Sequence, residues 1–280
     1  MTSNLEHYIR LAKNGDQEAL SLVVSRIKDN IYGLALRMLN HTEDAEDQTH
    51  EILIKVITHL SDYREESAFT TWVYQIACNH LLTKLKQKAA RPELTFNTFG
   101  EIISTVTIDA PPLECSSPER GIMLEEVRLS CMQAALTCLE KDIRVAVILG
   151  ETYGVTSKEG AVILGITPEA FRARLSRGRK SLQKFMGGHC GLVNKNNTCK
   201  CHQHAAVAIS RGESCPKKDT ILLKDVAGEG REKLLAHLDE LTEIERTIAM
   251  LRQYPEYKSP ESFSNIISDL IHSGKYNIFN

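Results

Sequence analysis

No apolar run in this sequence approaches the roughly 20 residues that a membrane span requires, and the opening MTSNLEHYIR lacks the basic-then-apolar order of a secretory leader. Aromatic residues are scarce at 6%, with a single tryptophan. Neither sign of charge is in excess. With a formal net charge of -2, a nucleic-acid footprint has to come from local segregation of charge. Catalytic signatures are missing too: there is no H-E-x-x-H, no phosphate-binding glycine loop and no paired catalytic motif. Together these absences weigh against a membrane protein, a secreted scaffold and an enzyme. Without a leader, the eight cysteines read as cytosolic thiols or metal ligands rather than as a disulfide framework. The composition, 42% hydrophobic and 25% charged, is that of a soluble globular chain. Its 280 residues suggest about two domains with an appendage.

Apolar residues recur with helical spacing. Leu20, Val23, Val24, Ile27, Ile31, Leu34 and Met38 form one stripe behind a cap at Asp16. Ile52, Leu53, Val56, Ile57 and Leu60 form a second, and Val73, Ile76, Ala77 and Leu81 a third. Few prolines or glycines interrupt them, which predicts a helical bundle over the first 90 residues. The stretch from Arg91 to about 118 is rich in Thr, Ser and Pro, shows no helical stripe, and reads as a linker or short extended element. Periodicity resumes with Val127, Cys131, Ala134 and Cys138. Thr156 with Glu159 then forms a capping box, LGI supplies a turn, and Thr167-Pro168 opens a longer helix. Short helix, tight turn and long helix make a helix-turn-helix pattern.

Three stretches carry candidate chemistry. From Thr167 to Met186 the chain holds Arg172, Arg174, Arg177, Arg179, Lys180 and Lys184 against the single acid Glu169. Phe171, Leu175, Leu182 and Phe185 mark an apolar stripe, leaving guanidinium groups for phosphates and guanine edges, or simply for solvent. EDAEDQTHE, residues 43–51, places five acids within nine residues at a helix start. Acids there cap the macrodipole, and they also suit a basic protein partner. In FTTWVYQIACNHLLTKLKQK, the residues Trp72, Gln75, Asn79, Thr83 and Lys86 share one face. A ring, amides and lysines on one face fit unpaired bases, although a lone tryptophan is as readily a core residue.

Taken in order, DAEDQTHEILIKVITHLSDYREESAFTTWVYQIACNHLLTKLK resembles region 2 of bacterial RNA polymerase sigma factors of the extracytoplasmic-function (ECF) group. LEKDIRVAVILGETYGVTSKEGAVILGITPEAFRARLSRGRKSL resembles their region 4, and the likeness spans roughly residues 5–186. The resemblance implies an all-α fold of two helical domains joined by a linker, plus a helical C-terminal extension. It implies a region 2 domain over 1–90, a linker over 91–118 and a region 4 domain over 119–186. A Cys/His-rich segment over 187–216 and helices over 217–280 follow. The implied function is promoter recognition and transcription initiation as a non-enzymatic subunit of RNA polymerase in the nucleoid, with no required cofactor. An anti-sigma factor is a further partner that the family admits.

Carried over residue by residue, the polymerase-binding positions are Asp44, Asp47, Gln48, Glu51 and Lys55. The positions that open and read the minus-ten element are Phe69, Thr71, Trp72, Tyr74, Gln75, Asn79 and His80, where a base is flipped from the stack. The minus-thirty-five element falls to Pro168, Glu169, Ala170, Arg172, Arg174, Arg177 and Arg179. Two departures stand out. LEKD lacks the proline usual before the first region 4 helix, and Gly160 replaces a larger aliphatic residue, which is expected to loosen its helix.

HCGLVNKNNTCKCHQH packs three cysteines and three histidines into sixteen residues. Cys190, Cys199 and Cys201, with one of His189, His202 or His204, would supply the tetrahedral donor set that zinc or another soft metal accepts. A thiol–disulfide switch and an inert linker are the alternatives. In the tail, Leu234, Leu235, Leu238, Leu241, Ile244, Ile248 and Leu251 form one stripe, and Phe263, Ile266, Ile267 and Leu270 another. A helical hairpin docking on the two domains and regulating them in cis would bury both. The competing class is a helix-turn-helix regulator with a metal- or redox-sensing tail, separable from a sigma factor by its failure to bind core polymerase.

Overall fold

A computed structural model describes residues 2–87, 94–106, 117–210, 242–252, 257–260 and 263. The described residues are helical, apart from turns and one isolated parallel bridge between Cys190 and Cys199. Among them, no helix is long and apolar enough to cross a membrane. Their contacts divide the chain into two units, 1–89 with 161–167 and 256–280, and 90–160 with 168–255.

The first unit begins with α1 (Thr2–Lys13), α2 (Gln17–Leu39), α3 (Thr42–Thr58) and α4 (Phe69–Gln87). Asp16 caps α2 as its spacing suggests, its carboxylate accepting from the Ala19 amide at 2.9 Å. Asn40 ends α2 in the left-handed conformation, with φ of 51°. Leu20, Val23, Val24, Ile27, Ile31, Leu34 and Met38 are all buried, as are Ile52, Leu53, Val56 and Ile57 of α3. Each such side chain contributes roughly 1.5–3 kcal/mol of burial, so these stripes, rather than helix propensity, hold the bundle together.

In the second unit, α5 (Phe96–Val106) corrects the reading of 91–118 as a linker without helical pattern. Phe96, Phe99 and Ile103 are a short stripe that the surrounding Thr, Ser and Pro obscure. Phe96 and Phe99 each lie 5.1 Å from the Phe185 ring, so a partner that is remote in sequence stabilises this helix. Next come α6 (Ser117–Thr137) and α7 (Lys141–Val147), the latter continuing into a π-helical turn, Ile148–Thr152. Where the missing proline would stand, buried Arg144 closes the α6–α7 corner by donating to the Thr137 and Leu139 carbonyls at 2.5 and 3.0 Å.

The helix-turn-helix is α8 (Ser157–Leu164) and α9 (Pro168–His189). The capping box forms: Thr156 N–H donates to Glu159 at 2.9 Å, and the Glu159 amide donates to the Thr156 hydroxyl at 3.3 Å. Gly165 turns the chain with φ of +63°. Gly160 does not loosen α8. A Cβ there would stand 2.3 Å from the Phe171 ring, so the missing side chain is the space that fully buried Phe171 fills. Gly160→Ala is therefore expected to destabilise the chain by about 1–3 kcal/mol through overpacking, read as a lower urea midpoint at unchanged m-value. A midpoint equal to or above wild type would contradict this packing.

The chain continues with α10 (Cys201–Ser210) and α11 (Glu243–Arg252). Of the tail residues expected to form stripes, Leu234, Leu235, Leu238, Leu241, Ile266, Ile267 and Leu270 lie outside the described residues. Leu251 and Phe263 are buried.

Candidate functional site

The acidic start of α3 presents Glu43, Asp47 and Glu51 to solvent, with Asp44, Glu46 and Gln48 half-buried. His41 caps the helix by accepting from the Asp44 amide. Burial, and then the neighbouring carboxylates of Asp47 and Glu43, push the Glu46 carboxyl above its ordinary value. A surface that already strains its own charge is one that a cationic partner would relieve.

One network joins α3 to α4. Lys55 Nζ stands 2.7 Å from Nδ1 of His80, and His80 Nε2 stands 2.8 Å from Gln48 Oε1 and 3.7 Å from Glu51. An ammonium only donates, so Nδ1 accepts and Nε2–H donates to Gln48. Burial first, and then Lys55, lower the His80 pKa, which keeps the ring neutral in this arrangement. Lys84 completes the set, 3.3 Å from Glu51. Three of the carried-over residues, Gln48, Lys55 and His80, thus form a single hydrogen-bonded unit, with Glu51 at its edge 3.7 Å from the His80 ring.

Residues of the tryptophan stretch separate by burial. Phe69, Thr71, Tyr74 and His80 are buried, Trp72 and Gln75 are half-buried, and Asn79 is exposed with Thr83 and Lys86. Trp72 is stacked on Phe69 at 5.7 Å and lies 5.5 Å from Tyr63, while Tyr63 meets Phe69 edge-on at 5.2 Å. Sequence reading missed Tyr63, which precedes α4 in an irregular stretch. Lys13 lies over its ring at 5.2 Å, and the Tyr63 hydroxyl donates to the Ser67 carbonyl at 2.7 Å. Buried aromatics therefore hold a half-buried indole, beside the exposed amide of Asn79, on one helical face.

On α9 the four arginines differ in setting. Arg172 and Arg177 are exposed; Arg172 pairs with Glu169 at 2.6 Å and reaches Ser157 at 3.3 Å, and Arg177 donates back to the Ala173 carbonyl at 3.4 Å. Arg174 lies 3.7 Å from Asp142. Arg179 pairs with Glu151, whose side chain is fully buried in the π-helical turn. Pro168 and Ala170 are half-buried at the leading end, beside exposed Glu169.

The family model for Sigma-70 region 2 matches residues 23–91, and the model for Sigma-70, region 4 matches residues 129–182. The two matches fall on the α2–α4 bundle and on the helices through α9, in that order. The chain belongs to the sigma factor family. It is similar to the RNA polymerase sigma-H factor of Pseudomonas aeruginosa, at 28% identity over 65% of this chain and 93% of that protein. The ECF RNA polymerase sigma factor SigE of Mycolicibacterium smegmatis is 30% identical over 62% of this chain and 65% of its own. SigW of Bacillus subtilis is 27% identical over 66% and 97%. A solved sigma factor RpoE, in complex with the anti-sigma factor NepR from Bartonella quintana, shares 19% identity with a TM-score of 0.42 over 58% of this chain and 93% of that one. This sigma factor is of the ECF type, a class that directs promoter recognition and catalyses no reaction of its own.

Residues beyond 182 lie outside both family models. Of the candidate metal ligands there, His189 parts from the cysteines. It ends α9 stacked on Phe185 at 4.6 Å, and its Nε2 would lie 2.7 Å from a Cβ on Gly100 of α5. His202 is exposed. Cys190 and Cys199 are brought together by their backbone bridge, with the Gly191 amide donating to the Cys199 carbonyl at 3.1 Å. Asn197 ties the loop between them by donating to the Gly187 and Cys190 carbonyls at 2.8 and 3.1 Å. Cys199 Sγ stands 3.2 Å from His204 Nε2, and Cys201 opens α10. Among the described residues, no three Cys, His, Asp or Glu side chains stand ready-made around one metal position. Burial pushes the Cys199 thiol up to about 12 and raises Cys190 and Cys201 as well.

Proposed function

We propose that this sigma factor gives RNA polymerase its promoter specificity through three surfaces and is regulated in cis by its C-terminal extension. The acidic face of α3, led by Asp44 and Asp47 and continued by Gln48, Glu51 and Lys55, docks on a basic surface of core polymerase. Trp72, Gln75 and Asn79 on α4 meet the opened minus-ten strand, while Phe69, Thr71, Tyr74 and His80 hold that face from beneath. Arg172 and Arg177 on α9 read the minus-thirty-five duplex, supported by Arg174, Arg179 and the Pro168–Ala170 end. The aromatic assembly around Trp72 carries the reading: two rings packed behind a half-buried indole suit stacking on an extruded base.

Trp72→Ala is expected to remove about 1–3 kcal/mol of stacking, roughly a 5- to 150-fold loss in open-complex formation, with duplex binding nearly intact. Permanganate footprinting of the melted bubble measures it; full opening by the variant would remove this role from Trp72.

Regulation in cis rests on contacts made by the tail within each unit. α11 starts with its own capping box, Thr242 N–H donating to Glu245 at 2.8 Å, and buries Thr247 and Leu251. Arg246 donates to the Val193 carbonyl at 2.9 Å. Arg252 binds Glu151 at 3.0 Å, and Glu151 is also the partner of Arg179 on the DNA-reading helix. In the other unit, Ser259 donates to Asp29 through its amide and hydroxyl at 3.0 and 2.6 Å. Tyr257 lies 4.5 Å from the Arg37 guanidinium, and Phe263 lies 6.3 Å from Tyr32 of α2. On this reading the tail restrains both regions, and the Cys/His segment between α9 and α11 senses a soft metal.

A further inference from the structure

The Tyr63 ring beside Trp72 is itself held from a helix that the region 2 match does not include. Lys13 ends α1, ahead of the matched stretch, which begins at residue 23. Its ammonium makes two contacts to one residue: it donates to the Tyr63 carbonyl, and it lies over the Tyr63 ring, 5.2 Å from the centroid. Tyr63 is tied at its far end as well, its hydroxyl donating to the Ser67 carbonyl at 2.7 Å. Between these ties Glu65 sits in the left-handed region with φ of 59°. A residue other than glycine keeps that conformation only where its surroundings impose it. The ring so fixed is 6% exposed and meets both Trp72, at 5.5 Å, and Phe69, at 5.2 Å.

We infer that Lys13 is a positioning residue for promoter opening: through Tyr63 it fixes the loop 63–68 and so holds the Trp72 indole ready for an unpaired base. A stacking platform gains fully from a base only if its own rings are already ordered, because any ordering on contact is subtracted from the stacking free energy. Trp72 lies half-buried in the first turn of α4, and its rotamer depends on the two rings packed against it. Phe69 belongs to the same helix, one turn earlier, and moves with it. Tyr63 comes from outside α4, and it is the ring that Lys13 grips. A cation over the ring face and a charge-assisted bond to the carbonyl act on this one residue together. A single side chain of α1 thus sets both the backbone of the loop and the ring that backs the indole. Lys13 reaches the base only through Tyr63 and Trp72.

This inference rests on the stacking role proposed for Trp72, and its test separates the two. Trp72 is the chain's single tryptophan, so the intrinsic fluorescence of the free full-length protein reports its setting without a label. In Lys13→Met, which keeps the apolar stem and removes the ammonium, emission should move to longer wavelength and acrylamide should quench it more readily. In the reconstituted holoenzyme, opening read by permanganate should fall about fivefold or more, the change that corresponds to one exposed cation–π contact. Lys13→Arg, which retains a cation and donors, should recover both readings. The salt dependence of duplex promoter binding should keep its wild-type slope in Lys13→Met, because no phosphate contact is lost. Tyr63→Leu removes the same brace from its other side and should shift the fluorescence in the same direction. Wild-type fluorescence or wild-type opening in Lys13→Met would overturn the inference. So would a salt slope smaller by about one with the fluorescence unmoved, which would make Lys13 a phosphate contact. Normal opening by Trp72→Ala, with the Lys13→Met spectrum still shifted, would instead overturn the stacking role and leave the brace in place.

Discussion

A chain ended at Ser210, which lacks α11 and residues 257–263, is expected to bind promoter DNA with core polymerase more tightly than the full chain. Two contacts set the direction. Glu151 is buried between Arg179 of α9 and Arg252 of α11, so the tail and the DNA-reading helix are anchored on one carboxylate. On the region 2 side, Ser259 and Tyr257 occupy Asp29 and Arg37 of α2. On the proposed reading these contacts compete with promoter binding within each unit, so removing them returns the coupling energy. Couplings of this kind are typically about 1–3 kcal/mol, or roughly 5- to 150-fold in affinity. Promoter affinity of the reconstituted holoenzyme measures the effect, with helicity checked alongside. Arg252→Glu in the full chain should move the same way by a smaller amount, since it repels Glu151 without removing the helix. Affinities equal to or below wild type in both variants would show that the tail does not restrain the factor.

The opposite change is expected from Asp44→Lys/Asp47→Lys. Both residues lie in the first two turns of α3, Asp47 exposed and Asp44 half-buried, and neither belongs to the hydrogen-bonded set around His80. The double reversal therefore leaves the helix and its junction with α4 intact while inverting the sign of the surface. Loss of desolvated charge pairs at an interface costs about 2–5 kcal/mol, so affinity for core polymerase should fall by roughly thirtyfold or more. Glu18→Lys, an exposed reversal at the start of α2, serves as the control and should change little. Equal losses in the two proteins would assign the effect to net charge rather than to this face.

Periodicity and capping made much of the fold legible in the sequence. The α2 and α3 stripes are long and strictly spaced, and Asp16, the Thr156–Glu159 box and Thr167-Pro168 mark helix starts by local chemistry that tertiary context does not override. α5 escaped because its stripe is three residues long and its partner, Phe185, lies at the far end of another helix. Gly160 was misjudged for a similar reason: a glycine in a helix reads as a weakness until the Phe171 ring that needs its space is seen. At the site, the shared helical face of Trp72, Gln75 and Asn79 followed from spacing alone. That Thr71 and Tyr74 turn inward, and that Lys55 and Gln48 grip His80, depended on how α3 crosses α4.

The central claim is that this chain supplies promoter choice to RNA polymerase, and run-off transcription across fragmented genomic DNA tests it most directly. Core polymerase with the purified full-length chain should initiate at a small set of discrete sites sharing paired minus-thirty-five and minus-ten elements. Neither component alone should do so, and Trp72→Ala should silence the set. Transcripts no different from those of core polymerase alone, from the full chain and from the chain ended at Ser210 alike, would contradict the account.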